Sequence, residues 1–217
     1  MSDRYFATAR REILPHLPER FERLLDLGCG AGATVAAIRA LRGAAAPFWA
    51  GGVELDEAAA AEAERHCDRV WRGDVEAGAF DADIKPGSLD VVLCLDVLEH
   101  LADPWAMVKR LSPLLAPGGR LIVSIPNIRN WKFIWRLFAK GDFHYRDAGL
   151  LDRTHLRFFV RPTAVDLATC GGLALHHVGS TQPFTPPDAR WLLSKAAFGR
   201  LDDLMIKQFV VVAVQGG

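Results

Sequence analysis

The sequence predicts one α/β domain built on a mostly parallel sheet. Short apolar runs alternate with helical stretches along the whole chain, the pattern of strands joined by covering helices. One run, Leu89–Leu95, is nearly all apolar, as a central strand buried on both faces requires. Half of the 217 residues are hydrophobic, enough for a substantial core at this length. No repeat or composition shift marks a second domain.

Taken in order, an opening helix is expected over Arg4–Leu14, stopped by Pro15 and Pro18. Leu24–Leu27 reads as the first strand, and a glycine loop leads from it into a helix through Val35, Ile38 and Leu41. Phe48–Leu55 is a second strand, Glu57–His66 an alanine-rich helix and Arg69–Arg72 a short third strand ended by Gly73-Asp74. After Leu89–Leu95, a helix starts at Pro104, a residue suited to a first turn, and runs to Leu111. Pro117-Gly118-Gly119 reads as a turn before a fifth strand, Arg120–Ile125. A helix over Thr163–Thr169 and strands over Leu173–Val178 and Phe209–Val214 complete the series. The connection Pro126–Pro162 is long for a compact domain, so it is expected to be a lid that recognises the substrate.

Lys plus Arg and Asp plus Glu both number 26, so global charge points to no nucleic-acid partner. No apolar run approaches the ~20 residues that span a bilayer, and Met1–Arg11 lacks the apolar core of a signal peptide. Cys29, Cys67, Cys94 and Cys170 show no metal-binding spacing and are expected as free thiols, with no metal site, in a cytoplasmic protein.

The loop Asp26-Leu27-Gly28-Cys29-Gly30-Ala31-Gly32 lets backbone N–H groups and a helix dipole approach a polar ligand. By spacing alone it is ambiguous, because Gly28, Gly30 and Ala33 also satisfy a dinucleotide fingerprint. Glu54 suits either cofactor, since any ribose diol there wants a carboxylate acceptor.

The loop together with four further segments narrows the choice. LLDLGCGAG at Leu24–Gly32, GVELD at Gly52–Asp56, GDV at Gly73–Val75, LDVVLCLDVLEHLADP at Leu89–Pro104 and LAPGGRL at Leu115–Leu121 resemble, in order, the motifs of class I S-adenosylmethionine-dependent methyltransferases. That resemblance implies a Rossmann-like three-layer sandwich of about seven strands whose last strand is antiparallel. It implies S-adenosyl-L-methionine as cofactor and S-adenosyl-L-homocysteine as product. It further implies that the backbone of Gly28, Cys29, Gly30 and Gly32 meets the methionine part and that Asp26 orders the loop or binds the amino group. Glu54, beside Leu55, would take the ribose hydroxyls, Asp74 the adenine edge, and Val75 and Leu95 would flank the ligand. Tyr5 and Arg10 resemble an N-terminal clasp over the cofactor carboxylate, with surface packing the alternative for Arg10.

A hydroxyl acceptor needs its proton removed, and His100, His144 and His155 are the candidate bases. His100 is either a base or a hinge that holds its loop. His155 sits in DRTHLRFF at Asp152–Phe159, which resembles a motif of bacterial methyltransferases associated with glycan or cell-envelope synthesis; it is a base or a pin for the lid, with Leu156, Phe158 and Phe159 as core anchors. His176 and His177 read as surface residues. In a helical reading of 128–140, Ile128, Trp131, Ile134, Trp135 and Phe138 share an apolar face and Arg129, Lys132, Arg136 and Lys140 a basic one. Such a helix either lies on an anionic membrane, as an insertion of the ubiquinone O-methyltransferases does, or covers the site with its basic side solvated.

The expected activity is methyl transfer to a small-molecule, glycan or lipid-linked acceptor, at a hydroxyl oxygen. The alternative is a MetW-like accessory protein of methionine biosynthesis, suggested by GVELD and by the SIPN segment at Ser124–Asn127. Oligomeric state is open.

Overall fold

A computed structural model describes residues 8–182, 189–196, 198–199 and 201–217. Its centre is a seven-stranded sheet: β1 (Arg23–Leu27), β2 (Trp49–Glu54), β3 (Arg69–Arg72), β4 (Leu89–Leu95), β5 (Leu115–Pro126), β6 (Ala174–Ser180) and β7 (Gln208–Val214), in the order β3-β2-β1-β4-β5-β7-β6. β7 runs antiparallel to both its neighbours and the other pairings are parallel. This is the Rossmann-like architecture expected from the motifs.

Alternation along the strands divides the core into two layers. In β4, Val92 and Cys94 join the cluster that receives α3 (Pro104–Leu111) and α5 (Arg161–Thr169), while Val91, Leu93 and Leu95 face α1 (Ala33–Arg42). β1 and β4 are hydrogen-bonded neighbours, yet the chain runs outward from β1 to β3 before returning to β4. That reversal of direction opens a crevice at their carboxyl ends, where ligands of open α/β sheets bind.

Several boundaries differ from the sequence reading, each for a local reason. The N-terminal segment forms a 3-10 helix over Arg11–His16 with Pro15 inside it, and Tyr5 lies outside the described residues. Pro117-Gly118-Gly119 is no turn but part of β5, a bulge where the β4–β5 register shifts. Gly118 adopts φ +77°, and a Cβ on Gly119 would lie 2.8 Å from the Ala116 carbonyl oxygen. α2 covers Glu57–Ala63, capped by Asp56, and stops short of His66. The helix after β5, α4, covers Trp131–Lys140, because Asn130 serves as N-cap and accepts from the Lys132 N–H at 3.2 Å. α6 (Ala189–Ala196) and α7 (Asp202–Met205) precede β7 and were not anticipated.

α4 does not bury the stripe read as its apolar face, and the basic residues Arg129, Lys132 and Lys140 are exposed as well. Phe133 is its buried residue, edge-on to Phe143 at 5.6 Å, whereas Trp131, Ile134, Trp135 and Phe138 are exposed, Phe138 to 85%. The stripe read as an apolar face is therefore the outer one. No helix among the described residues is long and apolar enough to cross a membrane.

Candidate functional site

The glycine loop leaves β1 at the crevice and is tied to β2, with the Gly28 and Cys29 N–H groups donating to the Val53 carbonyl at 2.8 and 3.1 Å. Gly28 has φ +66°, and a Cβ there would stand 2.4 Å from Cγ2 of Val97. Val97 opens the turn that carries Glu99 and His100, so only a residue without a side chain lets the loop pass that turn.

Two buried acids stand behind the loop. Glu54 ends β2; its Oε2 accepts from Gly30 N–H at 2.8 Å and its Oε1 from the Leu55 and Asp56 N–H groups at 2.9 Å each. A carboxylate has about four acceptor positions, so three backbone bonds leave Glu54 capacity for a ligand hydroxyl. Asp26 is buried in β1, and desolvation, helped by Glu54 and opposed by Arg10, raises its pKa to about 8. Asp74 is exposed, its Oδ1 accepting from the Glu76 N–H at 2.8 Å; Val75 and Leu95 are buried, and Leu55 is 70% exposed beyond the end of β2. These acids, the open loop and the flanking apolar groups suit a zwitterionic nucleoside ligand without phosphates.

Arg10 reaches this end of the sheet from the N-terminal segment. It pairs with Asp96 and with Glu12, and its Nη2 donates to Ser124 Oγ at 3.3 Å. Asp96, which follows β4 with φ +58°, is also bonded by Gln208 from β7. Neither Asp96 nor Gln208 was picked out from the sequence; only their place at strand ends marks them.

Beyond the crevice lies a cavity of about 460 Å³, walled by Asp96 and Glu99, by α4, by the segment 146–155 and by the start of β7. Glu99 is 1% exposed, and neither of its carboxylate oxygens has a hydrogen-bond partner. Desolvation, reinforced by Asp96, pushes its pKa well above the ordinary range. His155, 9% exposed, places Nε2 4.0 Å from Glu99 Oε1, while its Nδ1 contacts the Leu150 carbonyl at 3.1 Å. A carbonyl only accepts, so Nδ1 carries the hydrogen and the basic nitrogen of the neutral ring is Nε2, turned toward Glu99.

The three histidines thus separate. His155 lines the cavity. His100 stands edge-on to it at 4.7 Å and holds Thr154 through Nδ1, 3.2 Å from the carbonyl and 3.0 Å from Oγ1. Burial, with His155 close by, lowers the His100 pKa and so disfavours its charged form. His144 is solvent-exposed, bonded to Asp142 at 2.8 Å, and does not line the cavity. Of the expected anchors, Phe159 alone is fully buried, whereas Leu156 and Phe158 are exposed. What docks this segment is backbone: the Leu156 and Arg157 N–H groups both donate to the Glu99 carbonyl, at 2.8 and 3.0 Å. Glu99, His100 and His155 also offer one ligand atom each within 4.8 Å of one another, a grouping that the cysteine spacing did not foreshadow.

Comparison with known proteins supplies the family. A family model described as a methyltransferase domain matches residues 25–121. The ubiquinone biosynthesis O-methyltransferase of Burkholderia vietnamiensis is 32% identical over 171 residues, which cover 73% of this chain and 70% of that protein. The chain belongs to the class I S-adenosylmethionine-dependent methyltransferases. Solved structures agree on the fold. A methyltransferase from Mesorhizobium loti superposes with a TM-score of 0.62 at 17% identity, covering 97% of this chain and 100% of its own. Phosphoethanolamine N-methyltransferase 2 of Haemonchus contortus, solved with S-adenosyl-L-methionine, gives 0.62 at 18% over 96% of this chain and 52% of that one. The methyltransferase is an enzyme, and S-adenosyl-L-methionine is its methyl donor.

Proposed function

We propose that this methyltransferase methylates a hydroxyl oxygen of a small or lipid-linked acceptor seated in the 460 Å³ cavity, with His155 as the base. The observation that carries this reading is the His155 Nε2, held as the basic nitrogen by Leu150 and facing the unpartnered carboxyl of Glu99. On the donor side, the loop Gly28–Gly32, Asp26 and Glu54 hold the methionine part and ribose, and Asp74, Val75, Leu55 and Leu95 border the adenine or methionine ends. Arg10 meets the donor carboxylate from the N-terminal side.

The donor supplies a methyl carbon already activated by a sulfonium. The acceptor hydroxyl donates to His155 Nε2; its oxygen bonds to the methyl carbon as the carbon–sulfur bond breaks, and His155 keeps the proton. Glu99, whose burial favours the protonated carboxyl, hydrogen-bonds the same hydroxyl and fixes its direction. His100 positions His155 by ring contact and pins Thr154, which keeps the 152–158 segment on the Glu99 turn. The exposed aromatic outer face of α4, beside the cavity, favours an acceptor with a lipid portion.

The test offers the enzyme S-adenosylmethionine with polyprenyl phenols, lipid-linked glycans and free sugars, and follows methyl-ether formation by mass spectrometry. His155→Ala is expected to lower turnover by about 10²–10⁴-fold with donor binding intact, the usual contribution of a general base. Methylation at nitrogen, or full turnover by folded His155→Ala, would overturn the assignment. Turnover would also set aside the accessory-protein alternative, which needs no proton acceptor.

A further inference from the structure

The proposed acceptor cavity has a strong charge gradient along its wall. Its buried end holds Glu99 and His155, and its exposed rim carries Lys132 from α4, Arg146 from the following loop and Lys207 from the entry to β7. The whole chain is electrically balanced, with 26 basic and 26 acidic residues, so this excess is local.

Neighbouring acids do not neutralise it. Asp96 is engaged by Arg10, Gln208 and Ser124, and Asp152 by the N–H and hydroxyl of Thr154 at 2.9 and 2.7 Å. Asp142 pairs with Arg136 at 2.9 Å and reaches Arg146 only at 4.0 Å. The Lys132 ammonium lies 5.9 Å over the Trp131 ring and forms no ion pair among the described residues; neither does Lys207. Three cations from three separate segments thus line one opening.

We propose that the acceptor is a phosphorylated hydroxyl compound, whose phosphate Lys132, Arg146 and Lys207 hold at the rim while its hydroxyl reaches His155. This rests on the cavity being the acceptor site, as argued above. A phosphate carries about −1.5 to −2 charges at neutral pH and accepts at three oxygens, which matches three donors along one rim better than a single carboxylate does. A neutral acceptor would leave Lys132 and Lys207 without a counter-charge and Arg146 with only its long contact to Asp142. The phosphate belongs to a soluble metabolite or to a lipid headgroup, and the two are separable.

The experiment uses the full chain saturated with S-adenosylhomocysteine, so that the glycine loop cannot bind the probe. Calorimetric titrations compare inorganic phosphate, decyl phosphate below its micelle concentration and uncharged decyl glucoside. Decyl phosphate is expected to bind, and to weaken at least about tenfold both in Lys132→Ala/Lys207→Ala and on raising salt from about 0.05 to 0.2 M, because rim charges are screened over a Debye length. Arg146→Ala, another exposed position, repeats the test should the double variant fold poorly. Inorganic phosphate binding with the same sensitivity points to a soluble acceptor; binding of decyl phosphate alone points to a lipid-borne one. Equal binding of decyl glucoside, no binding of either phosphate, or indifference to all the variants overturns the proposal. Homocysteine-product binding and the His155→Ala turnover loss are read on the same preparations, so this inference can fail while the base assignment stands.

Discussion

Gly28→Ala probes the contact between the glycine loop and the turn that carries Glu99. The new methyl meets Val97 Cγ2 at 2.4 Å, and the residue must hold φ +66°. The left-handed backbone costs an L-residue roughly 1–2 kcal/mol, and forcing a methyl into an occupied site costs about 1–3 kcal/mol. Their sum, about 2–5 kcal/mol, corresponds to a melting shift of roughly 4–20 °C for a chain of this size. The backbone part persists in Gly28→Ala/Val97→Ala, whereas the collision part is relieved. A double-mutant cycle by thermal melting and S-adenosylhomocysteine calorimetry should therefore return a coupling of at least about 1 kcal/mol. Additive effects of the two substitutions, or unchanged melting and binding in Gly28→Ala alone, would refute the claim that the loop and the turn are fitted to each other.

Stability should fall as pH rises from about 5 to about 8 in the absence of donor. Asp26 goes from an unfolded value near 3.8 to about 8 in the folded chain, so the native state retains a proton that the unfolded state has lost. The associated stability is complete below the unfolded value and gone above the folded one. Glu99 shifts the same way, and Asp26→Asn or Glu99→Gln should each flatten the melting-temperature profile; an unchanged slope in both would refute the burial argument. Asn127→Ala should cost about 2–4 kcal/mol, because its buried amide donates to the Asp203 and Ile206 carbonyls and accepts from the Arg129 N–H; a melting temperature within a degree of the parent would count against that anchor. His144→Ala should keep turnover within about threefold, since its ring lies in solvent on Asp142, and a loss on the scale of His155→Ala would restore it as the base.

The sheet was legible because burial on both faces leaves nearly continuous apolar runs such as Leu89–Leu95, set among turn signals and helical stretches. The cofactor class was legible because the groups expected to meet it lie in contiguous motifs at strand ends, Asp26 through Gly32 and Glu54, which the fold brings into hydrogen-bond contact. Side-chain orientation was not. Helical spacing correctly put Trp131, Trp135 and Phe138 on one face of α4, yet amphipathicity cannot say which face a neighbour covers, and here Phe143 receives Phe133 instead. The same gap hid the role of Asn127, whose partners lie 76 to 79 residues away, and made Leu156 look like an anchor when the attachment runs through its backbone N–H.

The Glu99 turn joins the two halves of the site. Val97 touches the glycine loop, Asp96 gathers Arg10 and Gln208, the Glu99 carbonyl receives the backbone of the segment bearing His155, and the Glu99 carboxyl faces that histidine. In the proposed mechanism the four residues after one buried strand, Asp96 to Glu99, therefore set the distance between methyl donor and base. In-line transfer is steeply sensitive to that distance, so a rigid turn at the end of the central strand is a physically better place for these contacts than the loop alone. The segment bearing His155 hangs from this turn by two backbone hydrogen bonds, while the Asn127 amide ties the end of β5 to the Ile206 carbonyl ahead of β7. Because backbone N–H groups attach that segment to the turn, the Leu156 and Arg157 side chains can change without moving His155.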